Sequence, residues 1–335
     1  MRVKLKVPDW AVKMVSDHTD MDRNPLRLKA GSGRHIKLSL PDDVYFEYGY
    51  IDSGGEMRAD PNNPVVAANP WYPALSVLTG PTHKFLGPLV DLPPSSGDLK
   101  RYQLHSYHFK ARRRFAIFSP DGVGDKPLPI AIVQDGPAFL RIGYLDRIFE
   151  SLVKAGLAYP VRLVFVEPGD RTIEYQFCPT YKSFISQELL PFIDAEIPVE
   201  GKPILIGVSL GGLVSATIAL EDPDRYQGVV TLSGAFLGTP SNPDPYNSTK
   251  SWVLNRIKEG AGSNLRWSLD VGTLEWLLEI NRSVQEALEC SGATHRYQEW
   301  NSGHNWVSWR NSLTQSIRFS FSPKIFNHKS KRLKN

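Results

Sequence analysis

A serine flanked by glycines is the first feature of this sequence that could do chemistry. Residues 207–211 read Gly-Val-Ser-Leu-Gly, the G-x-S-x-G pattern of a nucleophile elbow. The apolar run 204–206 predicts a buried strand before it, and 212–216 predicts a helix start after it. Such a turn lifts the Ser209 hydroxyl above the sheet and points the amides of the helix N-terminus at it. The pattern therefore predicts a nucleophilic serine; the alternative is a glycine-rich turn with an idle hydroxyl.

His304 is the candidate base for this serine. A serine needs a base to take its proton, and the elbow fold orders its residues as serine, acid and histidine. Only three of the eight histidines follow Ser209. His295 opens an expected strand, and His328 lies in a basic tail. Since His304 lies in a loop between an expected strand and an expected helix, we predict that it is the base. The alternative is a loop histidine with a structural hydrogen bond.

Two carboxylates, Asp270 and Glu275, could orient the histidine and stabilise its protonated form. Asp270 ends an expected strand, and Glu275 follows Gly272 by three residues at the start of the next helix. This fold commonly presents its acid after a strand, a glycine and two residues. Glu275 is therefore preferred, and Asp270 is the alternative. In the simpler interpretation, Glu275 only stabilises the N-terminus of its helix.

Two backbone N–H groups should form an oxyanion hole, because attack by a serine leaves a negative charge on the substrate oxygen. Leu210, directly after the serine, supplies one of them. The loop at 134–138 supplies the other, but its Pro137 has no N–H. The second donor is then a neighbour, Gly136 or Ala138, of which we select Gly136. Otherwise the hole has one donor and the activity is weak.

The elements that must position these residues alternate between strands and helices in the larger, C-terminal part of the chain. Such alternation predicts an α/β fold with a doubly wound, mainly parallel sheet. The expected strands are short and apolar: 114–118, 130–133, 161–166, 203–208, 228–232, 267–270 and 297–300. The expected helices are 139–155, 181–197, 212–220, 251–257, 276–288 and 306–318.

The first hundred residues differ from the rest in composition. They hold 11 of the 26 prolines and show no long helical periodicity. Segments 35–40 and 44–51 read as strands between turn sequences, and the Pro-, Ser- and Gly-rich stretch 92–98 predicts a linker. We therefore expect three parts: a small β-domain at 1–95, an α/β catalytic domain at 96–323 and a basic tail at 324–335.

Composition and motifs argue against several other classes of protein. The net charge of +4 is too small to require a nucleic-acid partner. Cys178 and Cys290 lie in no C-x-x-C motif, and no stretch matches the dinucleotide-binding pattern. The apolar runs fall far short of the ~20 residues of a membrane span, and no secretory signal is evident. We expect a cytoplasmic protein without a nucleic-acid or membrane partner, a metal or an organic cofactor, and leave a homodimer open.

Six stretches carry a resemblance to a known family. They occur in family order over about residues 100–320: VQDG at 133–136, DRTIEY at 170–175, YKSFISQELLPFI at 181–193, IGVSLGGLVS at 206–215, LDVGTLE at 269–275 and SGHNWVSW at 302–309. With them the chain resembles the putative esterase family of α/β-hydrolases, and within it the enterochelin esterase-like branch. The resemblance implies Ser209 as nucleophile, His304 as base and most naturally Glu275 as acid. It also implies a structural Arg171–Glu174 pair near the site.

The N-terminal segment resembles an early-set, immunoglobulin-like β-sandwich through residues 43–64 and 69–73. In enterochelin esterases such a domain precedes the hydrolase and helps to form the substrate site. The two resemblances together imply a serine esterase that hydrolyses a small-molecule ester through an acyl-enzyme, with siderophore trilactones among the candidate substrates. Acyl transfer or carbohydrate ester hydrolysis by the same fold remains an alternative. A weakly active or inactive relative that binds carbohydrate or another ligand is the other.

Overall fold

The computed structural model describes residues 1–29, 31–70, 72–84 and 92–326. Residues 327–335, most of the predicted basic tail, lie outside this description. Contacts divide the chain into two compact units. The first unit groups Met1–Leu89 with Val271–Leu278 and Glu299–Asn311, and the second contains the rest of the chain. The domain boundaries at residues 95 and 323 stay predictions.

The N-terminal part of the first unit is built of short strands. They are β1 (Arg2–Lys6), β2 (Ala11–Ser16), β3 (Leu26–Arg27), β4 (His35–Ser39), β5 (Tyr45–Asp52), β6 (Met57–Arg58) and β7 (Ser76–Thr79). β1 and β4 pair in one antiparallel sheet. A second sheet has the order β3-β2-β5-β6, and β7 also pairs with β5.

The apolar core of this part lies between the two sheets. Phe46, Tyr48 and Tyr50 alternate along β5 and therefore point to one face. They are fully buried in one cluster with Leu5 of β1 and Met14 of β2. Two sheets that share a core form a sandwich, so the predicted small β-sandwich is confirmed.

One larger sheet organises the second unit. Its strands are β8 (Asp98–Ser106), β9 (Ala111–Ser119), β10 (Ile130–Val133), β11 (Arg162–Val166), β12 (Ile204–Val208), β13 (Gly228–Leu232), β14 (Arg266–Gly272) and β15 (His295–Trp300). Within the described residues the order is β15-β14-β13-β12-β10-β11-β9-β8.

The pairing in this sheet is mainly parallel. β10 is parallel to β11 and β12, and the parallel pairing continues from β12 through β13 to β14. β9 and β8 add an antiparallel hairpin at the β11 side. Because the chain builds the sheet outwards in both directions from β10, the predicted doubly wound sheet is confirmed.

Helices connect most of these strands. Their bounds are α1 (Gly136–Arg141), α2 (Leu145–Lys154), α3 (Arg171–Tyr175), α4 (Pro179–Ser183), α5 (Leu190–Glu196), α6 (Leu210–Glu221), α7 (Trp252–Lys258), α8 (Leu278–Cys290) and α9 (Trp306–Ser320). In the part of the chain that the structure describes, no helix is both long enough and apolar enough to cross a membrane.

The single helix predicted at 139–155 is wrong. The chain forms α1 and α2 instead, and Tyr144 between them has a left-handed backbone with φ of 49°. The helix predicted at 181–197 is interrupted as well, since a π-helical segment at Phe184–Leu189 separates α4 from α5. The spacing of apolar residues does not reveal such interruptions, because the apolar residues on both sides of them are spaced as in a helix.

Candidate active site

Ser209 lies at a strained turn between β12 and α6. Its φ and ψ are 55° and −120°, a backbone conformation that a residue with a Cβ rarely adopts. Its amide donates to the Leu232 carbonyl on β13 at 2.9 Å, which fixes the turn against the sheet. Only 6% of the residue surface is exposed. Strain of this kind persists only where the surroundings enforce it, and it is typical of functional positions.

Two glycines make the turn sterically feasible. A Cβ on Gly207 would lie 2.0 Å from the carbonyl oxygen of Gly211, so no larger residue fits there without moving the backbone. A Cβ on Gly211 would lie 3.0 Å from Asp135 Oδ2 and 3.2 Å from Gln134 Cβ. The loop after β10 therefore packs directly against the first turn of α6, and the glycines allow this approach.

The loop after β10 leaves Gly136 as the candidate second donor of an oxyanion hole. Asp135 has a left-handed backbone with φ of 55°, and α1 begins at Gly136. The N–H of Ala138 already donates to the Asp135 carbonyl at 2.9 Å, and Pro137 has no N–H. Of the two neighbours that the sequence suggested, Ala138 is thus engaged within the loop. Gly136 is the first residue of α1, so its N–H has no acceptor carbonyl within the helix.

Arg171 ties this loop to the elbow. Its Nε and Nη2 donate to the two carboxylate oxygens of Asp135 at 2.7 and 2.9 Å, and Nη2 also donates to the carbonyl of Val208 at 3.3 Å. The Asp135 amide donates to the Tyr175 hydroxyl at 2.9 Å. A bidentate ion pair fixes planar geometry as well as distance. Asp135 and Arg171 therefore form a clamp that fixes the loop after β10 relative to Val208, the residue before Ser209.

The predicted Arg171–Glu174 pair is wrong, because each residue has a different partner. Glu174 accepts two hydrogen bonds from Arg113 of β9, at 2.7 and 2.6 Å, and one from the Gly169 amide at 3.0 Å. Both members of that pair are buried. Arg171 and Glu174 lie three residues apart in α3, a spacing at which two side chains of one helix can pair. In this structure each of them bonds to a residue outside the helix instead.

His304 and Glu275 are hydrogen-bonded in the first unit. The histidine Nδ1 donates to Glu275 Oε2, and Glu275 Oε1 accepts the Gly272 amide at 2.6 Å. Glu275 is 7% exposed, and the Trp309 ring forms a T-shaped contact with the imidazole at a centroid separation of 4.8 Å. A neutral imidazole that donates from Nδ1 has its basic lone pair on Nε2. This is the tautomer that a general base of the serine hydrolase type requires.

Asp270, the alternative acid, has other partners. It is 1% exposed and forms a bidentate ion pair with Arg296, at 2.7 and 3.0 Å. The Ser316 hydroxyl donates to the same carboxylate. Between the two carboxylates that the sequence left open, the one bonded to His304 is Glu275. Their catalytic roles stay a prediction.

Sequence reasoning did not identify Asp135 or Arg171 as a structural clamp. The signal was partial: both residues stand in stretches that carried the family resemblance, at 133–136 and 170–175. Their pairing joins positions 36 residues apart, and no local spacing rule predicts it.

Comparisons with known proteins agree on one family. The model of a family described as "Putative esterase" matches residues 106–319. The iron(III) enterobactin esterase of Dickeya dadantii is 26% identical over 246 residues, which cover 68% of this chain and 56% of that protein. The chain thus spans little more than half of that relative's length.

Solved structures show the same fold. The ferric enterobactin esterase of Salmonella typhimurium superposes with a TM-score of 0.77 at 20% identity, covering 97% of this chain and 94% of that one. The enterobactin esterase of Shigella flexneri, crystallised in the presence of enterobactin, gives 0.75 at 19% identity, with coverages of 96% and 93%. At this identity the likeness establishes the α/β-hydrolase fold with its N-terminal strand-rich part, as the sequence predicts.

Proposed function

Because the chain belongs to the putative esterase family, we propose that it is a serine hydrolase of carboxylic esters with Ser209 as the nucleophile. The observation that carries the proposal is the backbone of Ser209, a strained non-glycine turn between a buried strand and a helix. An idle serine has no need of φ near 55°, and a glycine would adopt the turn at less cost. The family is one of carboxylic ester hydrolases, the enzyme class that the sequence predicts.

The proposed chemistry assigns one role to each residue. His304, oriented by Glu275, takes the proton of the Ser209 hydroxyl as its oxygen attacks the ester carbonyl. The amides of Leu210 and Gly136 hold the oxyanion. The protonated His304 then gives its proton to the leaving alcohol, and an acyl-enzyme remains. Water, activated by the same base, attacks the acyl group and releases the acid and the free serine.

The bonding of His304 supports this assignment. The carboxylate of Glu275 holds the imidazole in one tautomer and would stabilise the imidazolium that forms when the proton moves. Glu275 is fixed from its other side by the Gly272 amide, so its orientation does not depend on the histidine alone. The serine, acid and histidine also occur along the chain in the order that this fold uses.

For the substrate, we propose a small-molecule ester, with a siderophore trilactone as the first candidate. The support is that the relatives of this chain include esterases of enterobactin, one of them an iron(III) enterobactin esterase. Iron would then arrive as part of the substrate. The cytoplasmic location stays a prediction.

The test is the replacement of Ser209 in the purified full chain. Ser209→Ala should abolish hydrolysis of a short p-nitrophenyl ester and labelling by a fluorophosphonate, without a change in the circular dichroism spectrum. Ser215→Ala is the matched control, because Ser215 is a fully buried serine on α6, the helix that follows Ser209. A Ser209→Ala variant with the activity of the wild type would overturn the mechanism.

A substrate panel addresses the finer assignment. Trilactone siderophore, short acyl esters, aryl esters and acetylated sugars are offered separately, each with and without an alcohol acceptor. Turnover of the trilactone alone supports a siderophore esterase. Preferential transfer to the acceptor supports an acyltransferase, turnover of acetylated sugars supports a carbohydrate esterase, and turnover of none supports a binding protein.

A further inference from the structure

A buried pair of carboxylates lies in the first unit beside the loop that carries His304. Asp17 opens a short 3-10 turn, Asp17–Thr19, directly after β2, and Glu47 is in the middle of β5. Asp17 is 4% exposed and Glu47 is fully buried. The proposed ester hydrolysis uses neither of them. Removing two carboxyl groups from water costs free energy, so the pair points to a role in the fold or the site.

Asp17 is fixed by the sandwich on one side. Its Oδ2 accepts the amide of Glu47 at 2.7 Å. Glu47 in turn accepts the Asn69 side-chain amide at 2.7 Å and the Tyr45 hydroxyl at 3.3 Å. The carboxyl group of Asp17 therefore has a set position relative to β5.

On its other side, Asp17 touches the residue before His304. A Cβ built on Gly303 would lie 1.9 Å from Asp17 Oδ1 and 2.1 Å from its Cγ. The carboxyl group thus fills the space in which a side chain at position 303 would stand. This contact explains why the residue next to the histidine is a glycine, although its backbone φ is not among the positive values of the chain.

The backbone of β5 also holds the loop at residues 301–303. The Tyr45 amide donates to the Asn301 carbonyl at 3.0 Å, and Tyr45 and Ser302 form a parallel β-bridge. The Asn301 side chain donates to Asp43 at 2.6 Å. Residues 301–303 are therefore an extension of the sandwich, with backbone pairing at one point and the Asp17 carboxyl at another.

We propose that Asp17 is a positioning residue for His304: its carboxyl group packs against Gly303 and sets the turn from which the imidazole reaches Glu275. The inference rests on the proposed function, because it assigns to Asp17 the alignment of the proposed base. A displacement of about 1 Å in a catalytic group can cost on the order of 10²-fold in rate. Asp17 contacts the chain on both sides of His304, since its carboxyl group packs against Gly303 and also interacts with the Asn305 side chain.

Charge does not contradict this role. Burial, followed by the neighbouring Glu47, raises the pKa of Asp17 well above its usual value, and Glu275 raises it further. Burial also raises the pKa of Glu47 to about 7. Burial raises the pKa of Asp20 in the same unit as well, and the charge of His304 opposes this shift. Asparagine matches the shape of the Asp17 side chain and carries no charge, so Asp17→Asn keeps the packing against Gly303 while it removes the titratable group.

The experiment compares Asp17→Ala and Asp17→Asn in the full chain. We expect Asp17→Ala to lower kcat on a short p-nitrophenyl ester by about tenfold or more with KM within about twofold, since binding is not what the contact serves. Asp17→Asn should keep most of the kcat and the pH profile. Asp9→Ala, at an exposed aspartate of the same unit, is the matched control.

A spectroscopic readout makes the result independent of turnover. The low-field proton resonance of the His304 Nδ1–H, assigned by its loss in His304→Ala, reports the hydrogen bond to Glu275. It should shift or broaden in Asp17→Ala and persist in Asp17→Asn. Gly303→Ala approaches the same contact from the other side and should act like Asp17→Ala, which covers the case in which Asp17→Ala does not fold.

Each outcome decides one of the two ideas. A folded Asp17→Ala or Gly303→Ala with wild-type kcat and an unchanged resonance would overturn the positioning role. So would an Asp17→Asn variant as impaired as Asp17→Ala, because charge and not packing would then be the cause. If instead Ser209→Ala is fully active, the proposed function fails, and the resonance still shows whether Asp17 sets His304.

Discussion

Glu47 should make the stability of this protein fall as the pH rises from acidic to neutral. Its side chain is fully buried on β5, and burial raises its pKa from the ordinary 4.5 to about 7. The folded chain then holds the proton more tightly than the unfolded chain does. Between pH 4.5 and about 7 the native state binds more protons, so the free energy of unfolding decreases with pH in this window.

The size of the effect follows from the shift. At about 1.4 kcal/mol per pKa unit, a rise from 4.5 to about 7 corresponds to about 3 kcal/mol. This contribution is present below pH 4.5 and is lost once the pH passes about 7. Glu47→Gln removes the titration and keeps an oxygen that can accept the hydrogen bond from Asn69.

The assay is urea unfolding of wild type and Glu47→Gln at pH 4.5 and pH 8, followed by tryptophan fluorescence. The variant should gain about 3 kcal/mol relative to wild type between the two pH values. Glu56→Gln, at an exposed glutamate of the same unit, should show no such change. A difference between wild type and Glu47→Gln that is the same at both pH values would refute the reasoning.

Two further predictions separate structural from catalytic roles. Glu275→Gln should lower kcat about 10³–10⁴-fold with little loss of stability. Asp270→Asn should leave kcat within about twofold but lower the free energy of unfolding by about 3–5 kcal/mol, because it leaves Arg296 without its charge partner. Kinetics and thermal denaturation compare the two variants, and the opposite pattern would make Asp270 the acid. Arg171→Met should lower kcat about 10²-fold at nearly constant KM, because it removes the ion pair that fixes Asp135. Arg171→Lys should recover part of the loss. An unchanged kcat in Arg171→Met would show that the Arg171–Asp135 pair has no role in catalysis.

The sheet was the most predictable part of the fold. Its buried parallel strands are short apolar runs bounded by turn residues, and the predicted 130–133 and 228–232 coincide with β10 and β13. The edge strand β8 was not predicted. Its partly buried residues Leu99, Tyr102 and Leu104 break the strict two-residue alternation, because one face of an edge strand need not be apolar throughout.

The candidate site was predictable only where one residue's role is set by its immediate neighbours. Ser209 could be located because the tight turn around it requires glycines at positions 207 and 211, and this spacing is visible in the sequence. The choice between Asp270 and Glu275 could not be settled in the same way. It depends on Arg296, whose guanidinium engages Asp270 across 26 residues of sequence.

Asp17 shows why the remaining part was out of reach. Its contact with Gly303 joins positions near the two ends of the chain, and the sequence around each of them carries no sign of the other. By their contacts, the segments with Glu275 and His304 group with the N-terminal strands. The loop that carries the proposed base therefore shares its packing with a part of the chain that sequence reasoning treats as a separate β-domain. A substitution in β2 or β5 that displaces Asp17 should accordingly displace the imidazole of His304 as well.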